Sequence, residues 1–289
     1  MSVAKGLSGN KRWSGRQRGG SILELVLVML LTGIIFAVTQ IVIVRTIDTW
    51  WRVNANQESE QQLYRAQSSL ERDLRAAAFE LETDRATVGV QKAPPELQNL
   101  AGADGDVLWF LSATDPFSGK FQRTNDGAPF WQRNVVYYAV SPLGLAGLDY
   151  LGAGRQSGGY EVACPYKILV RKEIDSGPPT SPTTNPGTTT EKLMTYAELS
   201  SHINRPNGYS CAGMAAGNAT VKPVSAHVLT FRADLIENLR GVSVDVRCTA
   251  IDRARRDGAI SDRDLSIEPS TTQLQFVLLP PNRPPPPPP

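Results

Sequence analysis

An apolar run from Leu25 to Val44, entered through the single carboxylate of Glu24, constrains this chain more than any other feature. Only Thr32, Gly33, Thr39 and Gln40 interrupt it. About 20 residues of helix rising 1.5 Å each span a hydrocarbon core, so the segment predicts one membrane pass over residues 22–44. An ionisable side chain at membrane depth costs about 2.5 to 3.5 kcal/mol on insertion scales and marks a pairing or transport role. Glu24 is therefore the first candidate functional residue, against the plainer reading of a carboxylate that snorkels to the headgroups.

The flanks predict an orientation. Residues 1–19 carry Lys5, Lys11, Arg12, Arg16 and Arg18 and no acid, whereas the other side opens with Arg45 and Asp48 and reaches Glu58 and Glu60. The positive side stays in the cytoplasm, which places everything after Arg45 on the exported side. A cleaved secretory signal would have a shorter apolar core and a small-residue site, but this run ends in Val44-Arg45-Thr46-Ile47-Asp48-Thr49-Trp50-Trp51. Trp50 and Trp51 read as interfacial anchors.

Residues 53–82 contain neither proline nor glycine and are rich in Gln, Glu, Ala, Arg and Leu. Leu63, Leu70, Leu74, Ala77 or Ala78, and Leu81 fall on one helical face, with Glu58, Arg65, Arg72 and Arg75 opposite. One long helix is expected over residues 20–82, anchor in its first half and core element in its second.

The segment Arg18-Gly19-Gly20-Ser21-Ile22-Leu23-Glu24, basic before and apolar after, resembles the processing site of type IV prepilins and of the pseudopilins of type II secretion. The resemblance implies that a prepilin peptidase removes residues 1–19 as a basic leader, cutting between Gly19 and Gly20. Gly20 would then be the N-methylated first residue. A cut after Gly19 makes Glu24 the fifth residue of the mature chain, as in the family, whereas a cut after Gly20 would make it the fourth. Gly20 stands where the family usually has phenylalanine. Glu24 is implied as an assembly residue whose carboxylate meets the new amine of a neighbouring subunit. Ser69-Leu70-Glu71-Arg72-Asp73-Leu74-Arg75 and Leu239-Arg240-Gly241-Val242-Ser243-Val244-Asp245-Val246 are similar to segments of minor pseudopilins of the J class.

The remaining chain reads as an antiparallel sheet. Asp106–Ser112, Asn134–Ser141, Tyr160–Lys172, Val224–Leu235, Gly241–Ile251 and Thr271–Leu279 are rich in Val, Tyr, Phe, Leu and Thr and are bounded by turn residues. The expected class is α+β: a pilin-like long helix covering one face of the sheet in a single head domain over residues 83–279. Residues 176–190, mostly Gly, Pro, Ser and Thr, read as an unstructured insertion, and residues 280–289 as a proline-rich tail.

Charge argues against a nucleic-acid partner. The formal net charge is +2, and the five basic residues of the leader exceed it, so removing residues 1–19 leaves −3. Arg253-Ala254-Arg255-Arg256 sits among Asp252, Asp257, Asp262 and Asp264, as in a solvated mixed-charge loop. Cys164, Cys211 and Cys248 permit at most one internal disulfide, its pairing open. No spacing suggests a metal centre, and no cofactor is expected. Asp104-Gly105-Asp106 is read as a turn in preference to a calcium site. Gly208-Tyr209-Ser210-Cys211-Ala212 falls one residue short of a nucleophile elbow, and His202 and His227 are the only histidines.

The resemblance thus implies a non-enzymatic minor pseudopilin in the bacterial inner membrane, with a cytoplasmic N-terminus and a periplasmic head. It would help to form the pseudopilus tip complex. Its partners would be other minor and major pseudopilins, the prepilin peptidase and the inner-membrane secretion platform. A minor pilin of a type IV pilus and a signal-anchored exported hydrolase are the alternatives.

Overall fold

A computed structural model describes residues 21–82, 86–99, 102–115, 118–125, 127–144, 156–176, 191–215, 219–250 and 271–281. Its elements are α1 (Ile22–Leu74), β1 (Val88–Gln91), β2 (Gln98–Asn99), β3 (Gly102–Ala103), β4 (Val107–Ser112), β5 (Arg133–Val140), β6 (Gln156–Ser157), β7 (Tyr160–Glu161), β8 (Lys167–Ile174), α2 (Tyr196–Ser200), β9 (Ala219–Ile236), β10 (Gly241–Thr249) and β11 (Thr271–Leu278). Two units divide at Trp50–Trp51. The first contributes the apolar part of α1, the most apolar eighteen residues of which have a mean hydropathy of 2.6. That helix is long and apolar enough to cross a membrane.

The second unit is built on a seven-stranded antiparallel sheet in the order β1-β4-β5-β8-β9-β10-β11. Helix and sheet together make the α+β class. Ser59, Leu63, Ala66, Leu70, Asp73 and Leu74 are the buried positions of α1, a seam at alternating three- and four-residue spacing. It packs on Leu108, Phe110, Val135, Tyr137, Leu169, Phe231 and the Val242, Val244, Val246 row. Gln62 Oε1 accepts from Ala226 N at 3.0 Å, and Ser59 shares a hydrogen bond of 2.8 Å with Thr272, tying the helix to β9 and β11.

Covering a single face is not the whole arrangement. Val136, Tyr138 and Val140 of β5, with Val107 and Trp109 of β4 and Ile168 and Val170 of β8, point away from α1 into a second core. There they meet Met194, Leu199, Ile203, Cys211 and Met214 from the segment around α2. The central strands are therefore buried on both faces, which is why β4 and β5 read as continuous apolar runs.

Three expected elements differ most from the structure. The helix ends at Leu74, short of Glu82. Ala76 N and Ala77 N bond three residues back, to Asp73 O and Leu74 O, and Thr87 then captures the chain through Ala78 O and Glu80 N. These tertiary bonds outweigh the helical propensity of the alanines. The expected strand Tyr160–Lys172 is two strands, β7 and β8, separated by the turn at Pro165–Tyr166. β9 begins at Ala219, before Pro223, because that proline lies where the β8–β9 register shifts and no ladder donor is required of it. Residues 177–190 and 282–289, nearly all of the expected insertion and tail, lie outside the described residues, as does Arg253–Arg256.

Candidate functional site

The start of α1 is set by Ser21. Its carbonyl accepts from Glu24 N at 2.8 Å and Leu25 N at 3.2 Å, and its hydroxyl accepts from Leu23 N at 3.3 Å. Glu24 therefore sits in the first turn, where the helix dipole favours a carboxylate. Its side chain makes no ion pair or hydrogen bond among the described residues, and it is exposed. Gly19 and Gly20, the expected cleavage and methylation positions, lie outside the described residues.

Beyond Glu24, every large apolar side chain from Ile22 to Val44 is at least 46% exposed. Nothing in the described chain covers this surface, so it calls for lipid or for other helices. The polar residues on it are arranged for such a setting. Thr32, Thr39 and Thr46, seven residues apart, return their hydroxyls to Val28 O, Ile35 O and Val42 O at 2.8, 2.8 and 2.7 Å. Threonines bonded in this way need no outside partner in hydrocarbon. Gly33 leaves open space beside this stripe, and the Gln40 amide next to Thr39 makes no hydrogen bond among the described residues. Small and amide residues are what membrane helices use to associate.

The other candidate residues are occupied by the fold. Asp104 and Asp106 are fully buried. Asp104 accepts from Asn99 Nδ2 at 2.8 Å, Ser141 N at 2.9 Å and Ser141 Oγ at 2.8 Å. Asp106 accepts from Ala93 N at 3.0 Å, Tyr160 Oη at 2.6 Å, Ala233 N at 2.9 Å and Lys92 Nζ at 3.2 Å. A Cβ on Gly105 would lie 2.9 Å from Phe231 O. The Asp-Gly-Asp turn is thus a knot that ties the start of β4 to β9 and its neighbours, with its oxygens already used by protein donors. Among the described residues no group of three or more His, Cys, Asp or Glu is placed to hold a metal.

Cys164, Cys211 and Cys248 are buried free thiols, so the disulfide permitted by the count is not formed in the structure. Cys248 packs on the α1 side of the sheet and Cys211 on the opposite side. Burial pushes the Cys164 thiol up to about 11 and the Cys248 thiol up to about 12, and raises that of Cys211. Ser210 Oγ accepts from Ala212 N at 3.3 Å and bonds neither imidazole. His202 is lowered by burial and then by the nearby charge of Lys172. His227 lies at a positive φ of 56° in β9, its Nε2 3.5 Å from Glu58 Oε1.

Two buried ionic nodes escaped the sequence reading. Asp73 of α1 pairs with Arg171 of β8 and accepts from Tyr137 Oη at 2.6 Å, while Arg171 Nη1 lies 2.5 Å from Glu173. Burial alone would lower the Arg171 pKa, but the hydrogen bond and charge of Asp73 outweigh it and raise the value. Glu161 and Lys167 pair at 2.6 Å with both side chains fully buried, and desolvation raises the Glu161 pKa although Lys167 opposes it. The signal for the first node was present: Asp73 occupies a seam position of α1 where an apolar residue is expected.

Comparison with known protein families, curated proteins and solved structures finds no match to this chain.

Proposed function

We propose that this protein is a non-enzymatic subunit of a membrane-anchored filament, a minor pseudopilin of type II secretion most similar to the J class. It would help to form the tip complex of the periplasmic pseudopilus. The observation that carries the reading is the carboxylate of Glu24, which has no ion pair or hydrogen bond among the described residues, at the start of a helix long and apolar enough to span a membrane.

Prepilin peptidase cuts after Gly19 on the cytoplasmic side, the amine of Gly20 is freed and methylated, and Glu24 of one subunit draws the cationic amine of a neighbour into register. Opposite charges that are each costly in low dielectric compensate one another there. Gly33 and Gln40 support the same reading, because they offer close approach and an amide to a neighbouring helix. The α+β head stands in the periplasm and contacts sister subunits.

Co-purification of full-length protein from its native membrane tests the reading. Wild type is expected to recover other pseudopilins, with Glu24→Ala recovering about tenfold less at equal membrane insertion. Recovery of a surface pilin instead would assign the chain to a type IV pilus, and unchanged assembly of Glu24→Ala would remove the role given to that carboxylate.

A further inference from the structure

Several cations of the head are neutralised where they stand. Arg171 faces Asp73 and Glu173, Arg133 lies 2.8 Å from Asp175, Lys167 is paired with Glu161, and Lys92 with Asp106 and Asp234. Arg65 of α1 and Lys222 of β9 depart from this pattern. Both are exposed, and neither side chain makes an ion pair or hydrogen bond among the described residues. They line one open groove of about 440 Å³ between α1 and the first half of β9. Among the described residues Arg72 and Arg171 line it too, with Tyr64 and Ser68, and no carboxylate does.

Arg65 and Arg72 are seven residues apart and so lie within about 20° of one another around the helix. Lys222 pairs with Arg171 in the β8–β9 ladder. Two rows of positive charge thus flank the groove. Arg72 and Arg171 are partly committed, to Asp73 and to Asp73 with Glu173, which leaves Arg65 and Lys222 as the uncommitted charge. Tyr64, Pro223 and Val224 give the groove an apolar lining, Tyr64 at 66% exposure. A free inorganic anion makes no use of that surface, whereas a polypeptide buries methylenes against it while its carboxylates meet the cations.

We propose that this groove is a docking site for an acidic peptide segment of a partner chain. The inference concerns the head alone and stands whether or not the protein is a pseudopilin.

Fluorescence anisotropy tests it, with the full chain in a non-ionic detergent and a labelled short peptide alternating glutamate and alanine. Saturable binding is expected that weakens as salt rises from about 50 mM to about 300 mM. The double variant Arg65→Glu with Lys222→Glu should bind at least about tenfold more weakly, and Lys120→Glu, an exposed lysine outside the groove, should bind as wild type does. If charge reversal disturbs folding, Arg65→Gln and Lys222→Gln separately serve, each expected to weaken binding about threefold. Equal binding of the glutamine counterpart peptide, or undiminished binding by the variants, overturns the proposal. So does complete displacement by millimolar phosphate, which would mark a small-anion site. Loss of peptide binding in nanodiscs of anionic lipid, with binding kept in zwitterionic ones, would assign the groove to headgroups instead.

Discussion

Asp73, in the last turn of α1, is bound to Arg171 on β8, and the Tyr137 hydroxyl on β5 donates to the same carboxylate at 2.6 Å. Helix and sheet are thereby joined by a charge pair that is almost wholly buried, Asp73 at 6% and Arg171 at 8% exposure. Removing one member of such a pair leaves the other charge desolvated without its partner. Asp73→Ala is expected to destabilise the head by about 3 kcal/mol, the low end for a broken buried pair because Glu173 still faces Arg171. Chemical denaturation followed by tryptophan fluorescence measures it. A loss below about 1 kcal/mol, the range of exposed pairs, would show that the node does not hold the helix.

The close approach of β1 to β4 depends on Gly89. It stands opposite Trp109 in the ladder, and a Cβ there would lie 2.4 Å from the indole ring. The ring has little freedom to retreat, because Trp109 Nε1 donates to Met194 O at 2.9 Å and its body fills the second core. Gly89→Ala should therefore cost about 1 to 3 kcal/mol and alter the near-ultraviolet signal of the tryptophans. Unchanged stability would mean that β1 is free to shift.

Burial of the thiols gives a signed pH dependence. The folded pKa values of Cys164 and Cys248, about 11 and about 12, lie above the unfolded value of about 8.5. Their contribution to stability is thus fully present below about pH 8.5 and is lost as pH rises through the folded values. Between about pH 8.5 and 10 the denaturation midpoint should fall, and Cys248→Ala should flatten that fall. Aromatic disulfide reagents at pH 8 should label the native thiols slowly and all three in denaturant. Rapid labelling of native Cys248 would contradict the packing around it.

Much of the sheet was legible because its residues carry local signals. Asn134–Ser141 and Thr271–Leu279 were read nearly as they occur, at Arg133–Val140 and Thr271–Leu278, from β-branched and aromatic runs between turn residues. The apolar helix and the position of Glu24 in its first turn were equally plain. What was illegible depends on partners distant in sequence. The end of α1 is decided by Thr87, and the split of Tyr160–Lys172 accompanies a buried Glu161–Lys167 pair. The layer around α2 has no long periodicity to announce it. Its Thr195-Tyr196-Ala197-Glu198 capping box was a local signal that went unused. The uncommitted charge of the Arg65–Lys222 groove needed the fold to bring α1 beside β9.

The proposed role of Glu24 as the assembly carboxylate of a processed pilin-like subunit stands or falls with the mature N-terminus. Intact mass and N-terminal peptides would be measured from cells with and without prepilin peptidase. A peptidase-dependent chain beginning at Gly20 and carrying an N-methyl group is expected. A chain beginning at Met1 in both strains would contradict it and leave an α+β head on a long apolar helix, without an assembly role for Glu24.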